Sequence, residues 1–141
     1  MSRIPTIKSV MTPFPHSAEK DETVADARDR MQENGIRHLP VLDGGKLAGI
    51  LTQRDVERVE ARSEDAAATT RVGAICRFPA YCVDLDEPLD NVLLHMANER
   101  LGSTLVLRQE RVVGIFTVTD ACRLLAVHLR RDLPPTGDEV A

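Results

Sequence analysis

The sequence predicts an α/β (α+β) fold made of two βαββα repeats related by a pseudo-twofold axis. Three observations predict it. Sliding the 141-residue chain by 65 positions lays Gly49-Ile50-Leu51-Thr52-Gln53-Arg54-Asp55 onto Gly114-Ile115-Phe116-Thr117-Val118-Thr119-Asp120, so G-I-φ-T-x-x-D occurs twice. The same ungapped offset equates Asp21-Glu22 with Asp86-Glu87, Met31 with Met96 and Val41-Leu42 with Val106-Leu107. Helical and strand-like apolar spacing then alternate in the same order in each copy. A domain near 60 residues buries only about 60% of its unfolded surface, so the two copies are expected to share an interface and fold as one body.

Residues 1–8 read as a lead-in. The first repeat, 9–62, opens on Ser9-Val10-Met11-Thr12-Pro13, with Pro13 and Pro15 holding the backbone extended. Asp21 and Glu22 then precede Val24, Ala27 and Met31, spaced for one buried helical face, and Asn34-Gly35 stops that helix. A strand over 38–42, a tight turn at Asp43-Gly44-Gly45 and a second strand over 47–51 form a hairpin. The next helix starts near Thr52 and fades after Ala61. Residues 63–71, rich in Ala, Thr, Ser and charge, are the expected linker.

The second repeat, 72–131, follows the same order. Pro88 occupies a favoured first-turn position, and Leu89, Val92 and Met96 supply the buried stripe. Residues 103–107 and 111–116 make the hairpin, and 118–131 the last helix. Residues 132–141 lack a burial pattern and are expected as a flexible tail.

Bulk properties exclude several functions. With 18 Lys+Arg against 22 Asp+Glu, the chain lacks the basic excess that phosphate-dominated nucleic-acid binding requires. Its only aromatic residues are Phe14, Phe78, Phe116 and Tyr81, too few for base-stacking platforms. Cys76, Cys82 and Cys122 form no C-x-x-C pattern and cannot all pair, which favours a reducing cytoplasm. No signal-peptide pattern or membrane-length apolar run is present, so no membrane insertion is expected. His16, His38, His95 and His128 are scattered without ligand spacing, and no metal site is expected. No nucleophile–base pair or phosphate loop points to catalysis.

The informative positions are the strand-to-helix junctions at Thr52 and Thr117. The first N–H groups of a helix lack partners and carry positive partial charge, so a phosphate or sugar hydroxyl finds donors there. A carboxylate three residues on can accept from a ribose diol. T-x-x-D is also close to a capping box, in which threonine and acid satisfy the helix end reciprocally. Duplication copies a cap as readily as a site, so both readings stand.

Together, the two G-I-φ-T-x-x-D segments, Val10-Met11-Thr12-Pro13, and Ile36-Arg37-His38-Leu39-Pro40-Val41 before Asp43-Gly44-Gly45 resemble the cystathionine-beta-synthase (CBS) domain. Two in tandem resemble the Bateman module, over roughly 9–131. The resemblance implies a non-catalytic regulatory module that binds an adenosyl ligand (AMP, ADP, ATP, NAD or S-adenosylmethionine) in clefts between the repeats, with no other cofactor. It implies that Thr117 and Asp120 face Ser17-Ala18 and Arg37-His38-Leu39, with Arg54 near the phosphate. Thr52 and Asp55 would face Cys82-Val83 and Gly102-Ser103-Thr104. Because Gly102, Ser103 and Thr119 replace Arg37, His38 and Arg54, the implied clefts are unequal, with the phosphorylated ligand beside Asp120. Family members commonly pair, which implies a homodimer burying Val56, Val59, Leu124, Leu125, Val127 and Leu129. The alternative is a dimeric adaptor with vestigial clefts that regulates a separate enzyme or transporter.

Overall fold

The computed structural model describes residues 3–132. The expected tail, 132–141, lies outside them apart from its first residue. The first half comprises β1 (Thr12–Pro13), β2 (Ala18–Glu19), α1 (Val24–Asn34), β3 (His38–Asp43), β4 (Lys46–Thr52) and α2 (Gln53–Glu60). Short helices α3 (Ala66–Thr69) and α4 (Val72–Ile75) lead into β5 (Cys82–Asp84), α5 (Leu89–Glu99), β6 (Ser103–Arg108), β7 (Arg111–Thr117) and α6 (Val118–Asp132). Setting aside β1, α3 and α4, each repeat is strand, helix, strand, strand, helix, as expected.

The local signals act as their chemistry dictates. Thr23 caps α1 by accepting the Asp26 N–H at 3.1 Å, and Gly35 ends it at φ 61°. Both hairpins pair antiparallel and carry a bulge at the same place, Val41/Leu42 and Val106/Leu107. The second copy departs at its turns. Arg100 ends α5 at φ 56° where the first copy has Gly35, and Gln109-Glu110 turn at φ 52° and 66° where it has Gly44-Gly45. Side chains in this left-handed region carry a steric cost that glycine avoids.

The repeats exchange their lead-in segments. β1 does not join the first-repeat sheet, β2-β3-β4; it adds to the second, ordered β1-β7-β6-β5, with Thr12 opposite Ile115. At the same offset, Arg77 bridges Ile50 of the first sheet through two backbone hydrogen bonds of 3.0 and 2.9 Å. Ile7 donates to the Glu87 carbonyl at 2.9 Å and lies fully buried among Leu89, Val92, Met96 and Phe116. Val72 donates to the Glu22 carbonyl at 2.8 Å and lies fully buried with Val24, Ala27 and Leu39. Each core is thus closed by a segment from outside its own repeat. The expected linker also contributes, because α3 places Ala66 and Ala67 in the first core.

A third apolar cluster, Ile50, Leu105 and Ile115, forms the seam between the two sheets. The crossing explains the glycine of the duplicated motif. A Cβ on Gly49 would stand 2.6 Å from the Arg77 carbonyl oxygen, and one on Gly114 would meet the Met11 sulfur. Val56 and Val59, expected at a dimer interface, instead face inward and complete the first core. Leu124 is half-buried against the second core, while Leu125, Val127 and Leu129 are exposed.

Thr104 is fully buried, and among the described residues its hydroxyl has no hydrogen-bond partner. Its counterpart in the first copy is Leu39. It therefore lies in the interior and not on the cleft expected for it. Thr104→Val, which keeps the shape and removes the orphaned hydroxyl, is expected to raise stability by about 1 kcal/mol in urea unfolding. Ile7→Ala is expected to cost about 2–5 kcal/mol, as for any large core truncation. Ile4→Ala, at an exposed site in the same segment, should change stability by less than about 0.5 kcal/mol.

Candidate functional site

Both T-x-x-D segments are capping boxes. Asp55 Oδ2 accepts the Thr52 N–H at 3.0 Å, and Thr52 Oγ1 accepts the Asp55 N–H at 3.2 Å. Thr117 and Asp120 repeat this at 2.9 and 3.2 Å. The two acids differ in their second oxygen. Asp55, only 6% exposed, also accepts from Arg77 Nε at 3.1 Å through Oδ1. Among the described residues, Asp120 Oδ1 has only a loose ion pair with the exposed Arg123, at 3.7 Å. The exchanged lead-in explains the difference, because the position equivalent to Arg77 is Thr12, which bears no charge.

A cleft of about 580 Å³ opens between the repeats above the N-terminus of α2. Its first-repeat wall includes Arg37, His38, Thr52, Gln53, Arg54 and Glu57. The facing wall comes from the second repeat and its lead-in, through Arg77, Ala80, Tyr81, Arg100, Gly102 and Ser103. Four arginines therefore line one opening, two from each side, with Arg77 already paired to Asp55. Ile50 and Leu105 form its apolar floor. This combination of a helix N-terminus, cations and an apolar floor suits a phosphorylated ligand with an apolar base.

His38 sits within the crossing of the repeats, its ring where a Cβ on Gly102 would stand 2.6 Å from Nε2. A side chain at 102 would collide with it. Burial, and secondarily the Arg37 charge, holds its pKa below the usual histidine value. Tyr81, on the lead-in wall, stacks on His95 with ring centroids 3.9 Å apart. Burial raises the Cys76 and Cys82 thiols above their ordinary range, in keeping with small apolar fillers.

The structure groups the expected residues differently from the resemblance. Arg37, His38 and Arg54 line the cleft that contains Thr52, not the side of Thr117 and Asp120. The cause is strand pairing: β3 lies beside β4, with His38 opposite Thr52 in register. Ser103 lies opposite Thr117 in the same way, yet reaches the Thr52 cleft across the seam. Leu39 and Ala18 are core residues, and the Ser17 carbonyl accepts from Arg30 at 2.8 Å. Cys82 and Val83 lie in β5 beside β6, and the cleft is lined instead by the preceding Pro79, Ala80 and Tyr81. Sequence reasoning missed Arg77 and Arg100. Arg100 was signalled by its place opposite Gly35 in the duplication, and Arg77 by its place opposite Thr12.

A second concavity, about 480 Å³, runs between α1 and α2 and shares Arg37, Gln53 and Glu57 with the cleft. Among the described residues, no group of His, Cys, Asp and Glu is arranged to hold a metal ion, and no helix is long and apolar enough to cross a membrane.

Known proteins share this architecture. The chain is 30% identical over 125 residues to an L-aspartate semialdehyde sulfurtransferase of Methanocaldococcus jannaschii, covering 87% of this chain but only 24% of that one. It is 28% identical over 124 residues to hypoxic response protein 1 of Mycobacterium tuberculosis, covering 87% of each. Among solved structures, the CBS domain pair of protein MJ0100, in complex with 5-methylthioadenosine and S-adenosyl-L-methionine, superposes with a TM-score of 0.80. That match has 27% identity and covers 89% of this chain and 99% of that one. The CBS domain family matches twice, over residues 7–62 and 72–127. With two matches, two βαββα units of the same element order and a ligand-sized cleft between them, the chain belongs to the CBS domain family as a tandem pair.

Proposed function

We propose that this CBS pair is a regulatory module that binds a phosphorylated adenosyl ligand in the Thr52 cleft and responds by a change in packing between its halves or with a second copy. The observation that carries this reading is the cleft itself, whose two walls come from different repeats and are each lined by two arginines. A ligand spanning them ties the repeats together. The complex of MJ0100 with adenosyl compounds supports the ligand class. Arg37 and Arg54 beside the α2 N-terminus suit a phosphate, and the Tyr81 face suits the base. Asp120, with one oxygen free of hydrogen bonds among the described residues, is a better acceptor for a ribose diol than Asp55.

One observation favours the alternative of an adaptor whose first cleft is vestigial. Both oxygens of Asp55 are engaged, one by the cap and one by Arg77. A diol reaches this carboxylate only after Arg77 leaves it.

Thermal unfolding with AMP, ADP, ATP, NAD and S-adenosylmethionine separates the two readings. A ligand at 100 times its dissociation constant is expected to add about 2.7 kcal/mol of stability. No shift with any of the five would leave only the adaptor. In calorimetry, Arg54→Ala is expected to weaken a phosphorylated ligand at least about tenfold, a loss of about 1.4 kcal/mol, and to leave adenosine unaffected. Asp120→Ala removes a cap and should cost about 0.5–2 kcal/mol of stability in either case. A ribose role adds a loss of affinity beyond that.

The His38 value sets the pH dependence. Its lowered folded pKa means the unfolded chain binds the proton first, so stability falls as pH drops below about 6.5. A phosphate beside His38 favours the charged ring. Affinity for AMP is therefore expected to rise between pH 7.5 and pH 6, and His38→Gln to flatten that rise; an unchanged slope in the variant would remove His38 from the site.

A further inference from the structure

Arg77 stands where the cleft meets Asp55. It lines the opening and the carboxylate behind it does not; the two side chains are 55% and 7% exposed. Both carboxylate oxygens are in use, Oδ2 by the Thr52 N–H at 3.0 Å and Oδ1 by Arg77 Nε at 3.1 Å. A ribose diol that reached Oδ1 would replace a bond between two charged groups with one in which only the acceptor is charged. The exchange is unfavourable. Nor can the backbone carry Arg77 aside, because its N–H and carbonyl are both bonded to Ile50, at 2.9 and 3.0 Å, and its carbonyl oxygen stands 2.6 Å from where a Cβ on Gly49 would be.

A guanidinium has five donors and no acceptor. Where an open carboxylate would accept from ribose hydroxyls, this cleft therefore presents donors. The pair with Asp55 engages only Nε, and among the described residues the terminal nitrogens of Arg77 make no other hydrogen bond. Arg100 lines the same wall, and Arg37 and Arg54 line the opposite one beside the α2 N-terminus. Among the described residues that line the cleft, Glu57 is the one carboxylate. A single phosphate seated at α2 meets the first pair of arginines and leaves the facing pair without an anion.

We propose that Arg77 turns the ribose subsite of this cleft from an acceptor into a donor, so that the ligand selected is a nucleotide with a second phosphate on its 2′ or 3′ oxygen, a nucleoside bisphosphate. The 5′-phosphate takes Arg37 and Arg54. The second phosphate takes the terminal nitrogens of Arg77, with Arg100 beside it on the same wall, and Asp55 keeps its bond to Nε.

This rests on the reading of the cleft as a site for a phosphorylated adenosyl ligand, and its test compares ligands with one another, so the two fail differently. In calorimetry at fixed ionic strength, adenosine 3′,5′-bisphosphate or its 2′,5′ isomer is expected to bind at least about tenfold more tightly than AMP, and the isomer that shows the gain identifies the oxygen. ADP, which adds its charge at the 5′ end, controls for charge alone. Arg77→Gln is expected to shrink the gain of the bisphosphate to less than about threefold and to leave the ratio of ADP to AMP unchanged. The same variant uncovers Asp55, so it should favour AMP over 2′,3′-dideoxyadenosine 5′-monophosphate, two compounds that the native chain binds alike. Thermal unfolding checks that the variant is folded; Arg100→Gln, at an exposed helix end, is expected to reduce the same gain and serves if it is not. AMP binding as tightly as both bisphosphates, a bisphosphate gain that survives Arg77→Gln, or a native preference for AMP over the dideoxy compound would each overturn the proposal. Absence of binding by every compound would overturn the adenosyl reading itself, and this inference with it.

Discussion

The exchange of lead-in segments is the constraint on which the rest of the fold depends. Neither repeat can close its core with its own residues. Ile7 fills the second core and Val72 the first, and the backbone bridges at Thr12–Ile115 and Arg77–Ile50 fasten each segment across the seam. Two halves of this size would bury too little apolar surface alone. Exchange makes them a single cooperative body. It also fixes the glycine at 49, since the Arg77 carbonyl crosses its backbone at a distance no Cβ tolerates, whereas at 114 the facing atoms belong to the Met11 side chain.

The same exchange makes the two acids chemically unequal. Sequence duplication gives Asp55 and Asp120 identical caps, with matching bond lengths to within 0.1 Å. What distinguishes them is the residue delivered by the crossing segment, arginine in one case and threonine in the other. A pseudo-symmetric scaffold thereby acquires one sealed carboxylate and one more accessible carboxylate while both keep the same cap.

Much of this was legible in the chain. The 65-residue offset located both motifs, both hairpins and the helix faces, because period and turn chemistry are local properties. The capping-box reading of T-x-x-D was likewise available from the two side chains alone. The expected grouping of Arg37 and His38 with Asp120 came from the family resemblance, whereas the hairpin read from Asp43-Gly44-Gly45 puts β3 beside β4. The two-residue turn alone would set His38 opposite Leu51; the bulge at Val41/Leu42, which the turn does not reveal, shifts the register by one and brings it to Thr52. The fate of Val56 and Val59 was less accessible. Whether an apolar helical face points to a core or to a partner depends on what the linker contributes, and Ala66 and Ala67 supply that cover from outside either repeat. Glycine losses in the second copy, at 100, 109 and 110, show that duplication does not preserve backbone comfort.

The wall formed by Arg37, Gln53 and Glu57 separates the cleft from the groove between α1 and α2 and belongs to both. No side chain in that wall can be repositioned for one cavity while remaining unchanged for the other. Linkage then imposes reciprocity: anything that occupies the groove and alters affinity in the cleft by a given factor must have its own affinity altered by that factor when the cleft fills. Information passing through such a partition has no preferred direction.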